Sequence, residues 1–211
     1  MNRLLAIVVA ALLASLLILQ IAHAARRIRA ISDRTAEDAL SDLRGEVARQ
    51  AARMEDDLAL GKAHARYVAS LQSVRALLDG GPADVAARAG QDVASILRHF
   101  PSFGGVVVLD AEGDERLRVE RMGGGVAIVP DGLLREHSDE ARAKAALRLA
   151  PDEVSLSPLE FDSSRVDVAE EDRLVLRYVA RVDSRSPGAV VLSLYAAPLF
   201  EATRQMEPIP G

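Results

Sequence analysis

The sequence predicts an α+β fold, in which a long amphipathic N-terminal helix leads into a five-stranded antiparallel sheet with flanking helices. Apolar residues recur every three or four positions through the first third of the chain, which is the period of a helix. After residue 104 they form short β-branched runs or alternate with polar residues, which is the period of a strand. Clusters of glycine and proline separate these runs and indicate turns.

Composition excludes several classes of function. The 211 residues carry 26 Lys plus Arg and 31 Asp plus Glu, a net charge of −5, and include no cysteine and no tryptophan. The lack of cysteine excludes a disulfide scaffold, a thiolate metal site and a cysteine nucleophile. The acidic balance argues against a nucleic-acid partner, because such binding needs clustered positive charge.

Residues 1–25 are predicted to be a transmembrane signal anchor or a signal peptide. The segment 4–22 carries no charge and approaches the roughly 20 apolar residues that a spanning helix needs. The A-H-A sequence at 22–24 is an A-x-A cleavage pattern, so removal of the segment stays open beside anchoring. Three arginines follow it and one precedes it, which by the positive-inside rule favours the reverse orientation. Because a short leader usually inserts as a hairpin, we expect residues 26–211 to be periplasmic, with a single pass through the bacterial inner membrane.

Residues 26–99 are predicted to form a long helix and then a short one. Strong helix formers dominate from Arg26 to about Leu78, and no proline occurs before Pro82. One face carries an apolar stripe made of Leu40, Leu43, Val47, Ala51, Met54, Leu58, Gly61, Ala65, Val68 and Leu71. This stripe either packs on its own domain or pairs two copies of the chain as a homodimer. The D-G-G-P sequence at 79–82 ends the long helix, and the second is expected over 83–99.

Residues 100–206 are predicted to hold the sheet and its core, with 207–211 as a tail. A helix is expected over 131–149, and Pro198 opens a short closing helix. The five strands are expected at 105–109, 115–121, 153–161, 173–182 and 189–195, and Pro158 is expected to interrupt the third.

No catalytic, metal or cofactor site is predicted. The triple glycine at 123–125 lacks the Lys-Ser/Thr of a phosphate loop. The four histidines are far apart and lack metal-binding spacing. Ser155 and Ser157 lie on a predicted strand without a nucleophile elbow, and Asp110 with Glu112 is typical of a solvated turn. We therefore expect a protein that is not an enzyme and that needs no cofactor.

Several stretches in the same order resemble Cache domains, the PAS-like extracytoplasmic sensor modules of bacterial histidine kinases, diguanylate cyclases and chemoreceptors. The sequence VVVLDAEGDERLRV at 106–119 is similar to the first hairpin of that family, with Asp110, Gly113, Glu115 and Arg118 on its motif positions. The sequence EVSLSPLE at 153–160 is similar to its strand ending in Ser-Pro-Leu. The strands 174–182 and 188–194 are similar to its last hairpin. The resemblance spans about residues 26–200, and the tryptophan of amino-acid-binding members is absent.

The resemblance implies a small-ligand site between the sheet and the helix-bearing loops. Its candidate residues are Arg118, Arg135, His137, Arg177 and Tyr178. An arginine in a half-buried site can hold a carboxylate bidentately. Alternatively, Arg118 and Arg177 are structural and pair with Glu115 or with an acid across the sheet. Because adjacent strand residues face opposite sides, Arg177 and Tyr178 are not expected to line one pocket.

The predicted function is a membrane-anchored sensor module that binds a small ligand and passes a conformational change through its long helix. The 211 residues include no recognisable output domain, so the signal is expected to reach a separate transmitter protein of a two-component system. The alternative is a non-sensing structural or adaptor membrane protein, or a truncated remnant of a sensor kinase.

Overall fold

The computed structural model describes residues 37–82, 84–122, 124–136, 139–162 and 173–199. The chain divides into two compact units, Met1–Arg53 and Met54–Gly211. The predicted membrane segment at 1–25 lies outside the described residues. None of the helices within those residues combines the length and apolarity needed to cross a bilayer.

The helices follow the predicted order with one interruption. They are α1 at 37–70, α2 at Gln72–Leu78, α3 at Asp84–His99 and α4 at Glu140–Ala146, and a final helical turn occupies 197–199. The predicted continuous helix to Leu78 is broken at Leu71, whose ψ of 130° is extended. The Ser70 hydroxyl donates a 2.7 Å hydrogen bond to the Tyr67 carbonyl. That side-chain bond competes with the helical ladder just before the break.

The sheet is antiparallel and has seven strands rather than the five predicted. The strands run in the order β3-β2-β1-β7-β6-β4. Strand β5 pairs with an earlier part of β6 than β4 does. Pro158 lacks a backbone N–H and splits the third predicted strand into β4 and β5, and β3 is a short strand after the triple glycine. The strands are β1 Phe103–Leu109, β2 Glu115–Met122, β3 Gly125–Ile128, β4 Val154–Leu156, β5 Glu160–Phe161, β6 Leu174–Val182 and β7 Gly188–Tyr195.

The helix predicted over 131–149 is also wrong in its extent. Asp131–Leu133 is a single 3-10 turn, and the backbone at Leu134 is extended, with ψ of 146°. The α-helix begins only after Asp139, whose side chain accepts a hydrogen bond from the Arg142 backbone N–H. This N-cap fixes the start of α4 at Asp139. The periodicity of apolar residues alone did not indicate a helix start there.

The two faces of the sheet bury different cores. Residues 54–70 of α1, together with α2 and α3, pack on one face, which we call the helical face. The other face, which we call the open face, packs against α4 at one end. Large aliphatic side chains fill the helical-face core, and burying each contributes about 1.5–3 kcal/mol. The smaller core under α4 consists of Leu109, Ala143, Ala146, Val179, Ala189 and Val191.

Candidate functional site

Small and apolar side chains form a floor on the open face beside α4. Side chains alternate between faces along a strand, so the pairing of β1 with β7 places Val107 next to Val191 and Gly105 next to Ser193. Val191 is buried, whereas the other three are only half-buried. We call these four residues the floor, which is bordered at Gly105 by its β2 partner Glu120.

Two of the predicted site residues stand on opposite sides of this floor. Arg118 on β2 pairs with Val107, and Arg177 on β6 pairs with Ser193, so both arginines project from the open face. The two lie three strand spacings of about 4.8 Å apart, which is about 14 Å across the sheet. They stand in neighbouring rows of the sheet and are offset by two residues along the strands, so Val179 lies across the floor from Arg118 and Glu120 lies across it from Arg177.

Arg118 is held by a buried acid. Its guanidinium donates to Glu115 Oε1, and the two side chains are only 12% and 4% exposed. Glu115 also binds Arg135, because its Oε2 accepts from the Arg135 backbone N–H at 3.1 Å and its own N–H donates to the Arg135 carbonyl at 3.0 Å. Among the described residues Glu115 is the one acceptor that Arg118 contacts, so further guanidinium N–H groups can serve a ligand. The structural pairing considered from the sequence is therefore present, and it also fixes the Arg118 fork in place.

Arg177 belongs to a second charged group on the other side of the floor. Its guanidinium forms an ion pair with Glu160 on β5. Arg142 on α4 donates to both Glu160 oxygens at 2.6 Å and also pairs with Asp139. The Arg142, Arg177 and Glu160 side chains are 29%, 20% and 24% exposed. This group ties α4 to two strands through charge-assisted hydrogen bonds.

The protonation state of this group follows from its contacts. Burial raises the pKa of the Glu160 carboxyl, but the hydrogen bond and charge of Arg142 and the charge of Arg177 outweigh burial and hold that pKa below its usual value of 4.5. Burial alone would lower the pKa of Arg142, but its bonds to Asp139 and Glu160 raise it instead. Glu160 is therefore an anion and Arg142 a cation at neutral pH.

Tyr178 lies on the helical face and not beside the other predicted residues. Its ring is 2% exposed and packs against Gly61 of α1, where a Cβ would come within 2.5 Å of the ring. Its hydroxyl is buried and finds no hydrogen-bond partner within the described part of the chain. Burial and then the charge of Asp57 raise the pKa of Tyr178 to about 12, so the phenol stays neutral. Tyr178 thus joins β6 to α1.

Arg135 and His137 are the two predicted site residues that remain. The Arg135 backbone N–H donates to Glu115, the partner of Arg118, and Arg135 is otherwise exposed. His137 lies outside the described residues. Arg142, Asp139 and Glu160 were not predicted as members of the site. An acid three residues before an arginine at a helix start was a signal for the first pair. No sequence pattern links either residue to Glu160.

Comparison with known proteins identifies the fold. No protein-family model and no curated protein sequence matches the chain. Solved structures do match. A domain of a sensory box/GGDEF family protein from Vibrio parahaemolyticus matches at 16% identity and TM-score 0.62, over 74% of this chain and 60% of that one. The extracellular domain of the histidine kinase vpHK1S-Z8 matches at 16% identity and TM-score 0.63, over 74% and 57%.

A chemoreceptor domain shares the same fold. The ligand-binding domain of the Campylobacter jejuni chemoreceptor Tlp3, solved in complex with L-valine, matches at 14% identity and TM-score 0.57, over 83% of this chain and 66% of that one. The chain thus spans about three-fifths of the length of the sensor domains that it matches. The fold of this chain is that of the extracellular sensory domains of histidine kinases, GGDEF proteins and chemoreceptors, as the resemblance to Cache domains implied.

Proposed function

We propose that this chain is an extracytoplasmic sensor domain, without enzymatic activity, that binds a small carboxylate on its open face. The observation that carries the proposal is Arg118, a nearly buried guanidinium at the side of the half-buried floor, fixed by Glu115 and with N–H groups left for a ligand. A preorganised arginine fork recognises a planar carboxylate with little further ordering.

The ligand class follows from the floor. The aliphatic side chains of Val107 and Val191 would contact an apolar part of a ligand, and Gly105 and Ser193 extend the floor with small residues. The Tlp3 domain, which shares the fold, binds L-valine and isoleucine. We infer a small amino acid or short aliphatic acid as the ligand, with its carboxylate at Arg118.

Strand β6 offers a path from the ligand to the long helix. Arg177 faces the floor, and the next residue, Tyr178, faces α1 at Gly61. A ligand that favours one position of β6 would therefore shift the contact between Tyr178 and α1. We propose that α1 carries this shift to a separate transmitter protein.

The cellular setting is part of the same proposal. Residues 1–25 would anchor the chain in the inner membrane, or be removed as a signal peptide, and residues 26–211 would lie in the periplasm. A C-terminal alkaline phosphatase fusion is expected to be active, and the matching fluorescent-protein fusion dark. The reverse result would refute the proposed orientation.

The binding proposal is tested by thermal shift and calorimetry on the full-length chain with L-valine, acetate and succinate, and with isobutylamine as a cationic control. Carboxylates are expected to raise the melting temperature, and isobutylamine is not. Arg118→Lys keeps a positive charge beside Glu115 but loses the fork, so carboxylate affinity should fall about 10–100-fold. The matched control is Arg88→Gln, which removes a surface arginine whose side chain is 64% exposed. Equal binding by Arg118→Lys and the unaltered protein would refute the site.

A second candidate, a structural or adaptor protein, is favoured by one feature of the first unit. Leu40, Leu43 and Val47 lie on one side of the helical residues 37–53 and are 52%, 44% and 53% exposed. Spacing of three and four residues is that of a helix-pairing stripe. If this function is the main one, Leu43→Glu should dissociate the oligomer in light-scattering measurements, and deleting 100–211 should leave partner capture intact.

A further inference from the structure

The convergence of two arginines on Glu160 has a consequence for how a ligand enters the site. Arg142 belongs to α4, Arg177 to β6 and Glu160 to β5, so three separate elements meet at one carboxylate. Both Glu160 oxygens accept from Arg142, and one also pairs with Arg177. Two guanidinium groups aimed at one carboxylate form the donor set that recognises any small carboxylate.

We propose that Glu160 is a resident carboxylate that fills, in the ligand-free protein, an anion site belonging to Arg142 and Arg177. A ligand carboxylate would bind there by displacing Glu160. This inference rests on the proposed function and deepens it, because it adds a second anchoring point, about 14 Å across the floor from Arg118.

The strand that carries Glu160 is shorter than the strand that carries Arg177, which favours movement of the acid and not of the arginine. Its strand β5 has two residues and pairs with β6 through two register pairs, and flanking hydrogen bonds from Ser157 N–H to the Arg177 carbonyl and from Asp162 N–H to the Arg173 carbonyl continue the contact at 2.8 Å. Arg177, in contrast, lies in the nine-residue strand β6, which pairs with β7 from Val175 to Val182. The acid therefore sits on a short edge strand that pairs with β6, whereas its partner arginine sits on a long strand that also pairs with β7. Among the described residues Glu160 is the one acid that Arg177 contacts, so its departure leaves that guanidinium in need of an anion.

A tethered competitor lowers the apparent affinity for an incoming ligand. The site accepts an external carboxylate only in the fraction of molecules whose Glu160 is displaced, so the observed dissociation constant rises by the inverse of that fraction. Acetate alone should thus bind the unaltered protein weakly. A ligand that also reaches Arg118 and the floor would compete better, and its binding would release β5 from β6.

The test uses the full-length chain, sodium acetate as the probe, and two measurements. These are the thermal shift and the NMR signals of the arginine Nε–H groups, assigned by single substitutions. Glu160→Gln keeps the shape of the side chain but removes its charge, and it should bind acetate at least about tenfold more tightly than the unaltered protein. Glu140→Gln, which removes an acid paired with Lys144 on the exposed side of α4, is the matched control and should leave acetate affinity unchanged.

The double variant Glu160→Gln/Arg177→Gln should lose the gain. If Glu160→Gln does not fold, Glu160→Asp keeps the charge but shortens the reach, and it should show a smaller gain. The absence of any gain in the folded variant, or its persistence without Arg177, would overturn the inference.

These outcomes separate the inference from the function on which it rests. If acetate gains affinity in Glu160→Gln and that gain is unchanged by Arg118→Lys, while L-valine never binds, the proposed ligand site at Arg118 fails and the anion site at Arg142 and Arg177 stands. If L-valine binds through Arg118 and Glu160→Gln shows no gain for acetate, only the displacement of Glu160 is refuted.

Discussion

The contact between Gly61 and Tyr178 makes a sharp prediction about how α1 is held on the sheet. In Gly61→Ala the new Cβ would lie 2.5 Å from Cε2 and Cζ of Tyr178 and 2.8 Å from its hydroxyl oxygen. Tyr178 is only 2% exposed, so protein atoms surround its ring. Overpacking of this kind costs about 3 kcal/mol at the upper end of its range, while the helix propensity of alanine returns about 1 kcal/mol. We therefore expect a net loss of about 2 kcal/mol.

Gly90→Ala is the matched control for this prediction. Gly90 is also a buried helical glycine, and its Cβ would lie 2.9 Å from Ile128 Cδ1. Ile128 is 42% exposed, so its tip can rotate away and the variant should be neutral or about 1 kcal/mol more stable. In thermal unfolding followed by circular dichroism, Gly61→Ala should melt about 4–8 °C below the unaltered protein.

A double substitution tests the assigned cause. In a Tyr178→Leu background the ring atoms are gone, so adding Gly61→Ala should cost nothing further. The reasoning is refuted if Gly61→Ala is as stable as Gly90→Ala, or if its cost persists in the Tyr178→Leu background.

Three further predictions concern single groups. Tyr178→Phe removes a buried hydroxyl that has no partner among the described residues, so the free energy of unfolding in urea should stay unchanged or rise by about 1 kcal/mol. A fall in that free energy of more than about 1 kcal/mol would show that the hydroxyl is hydrogen-bonded. Arg121 donates to the Leu97 carbonyl in the last turn of α3 and to the Phe100 and Phe103 carbonyls that follow the helix, so Arg121→Met should cost about 2–3 kcal/mol, with faster amide exchange at that helix end; unchanged exchange would contradict this role. The folded pKa of Glu160 lies below 4.5, so its ion pairs stabilise the protein above that pH and are lost as pH falls through the lower folded value. The stability difference between the unaltered protein and Glu160→Gln, measured by urea unfolding from about pH 3 to 7, should close on acidification, and a constant difference would argue against these pairs.

How much of the fold was predictable depends on the range of the interactions involved. The helix over 84–99 and strands β1, β2, β6 and β7 appear where their periodicity indicated, because an apolar face repeats within each segment. The break at Leu71 and the late start of α4 at Asp139 were missed, since each depends on one hydrogen bond formed against a smooth apolar pattern. The interruption at Pro158 was predicted, because proline lacks the backbone N–H that a strand needs.

The site shows the same division. The sequence by itself determined that Arg177 and Tyr178 face opposite sides of one strand, and it offered Glu115 as the partner of Arg118, because alternation and spacing of three residues are local properties of a chain. Only the tertiary structure decided that Arg142 of α4 and Arg177 of β6 share Glu160 of β5. It also decided that Tyr178 fits against Gly61. These contacts join residues far apart in sequence, and they form only when the packing of helices on the sheet sets which surfaces meet.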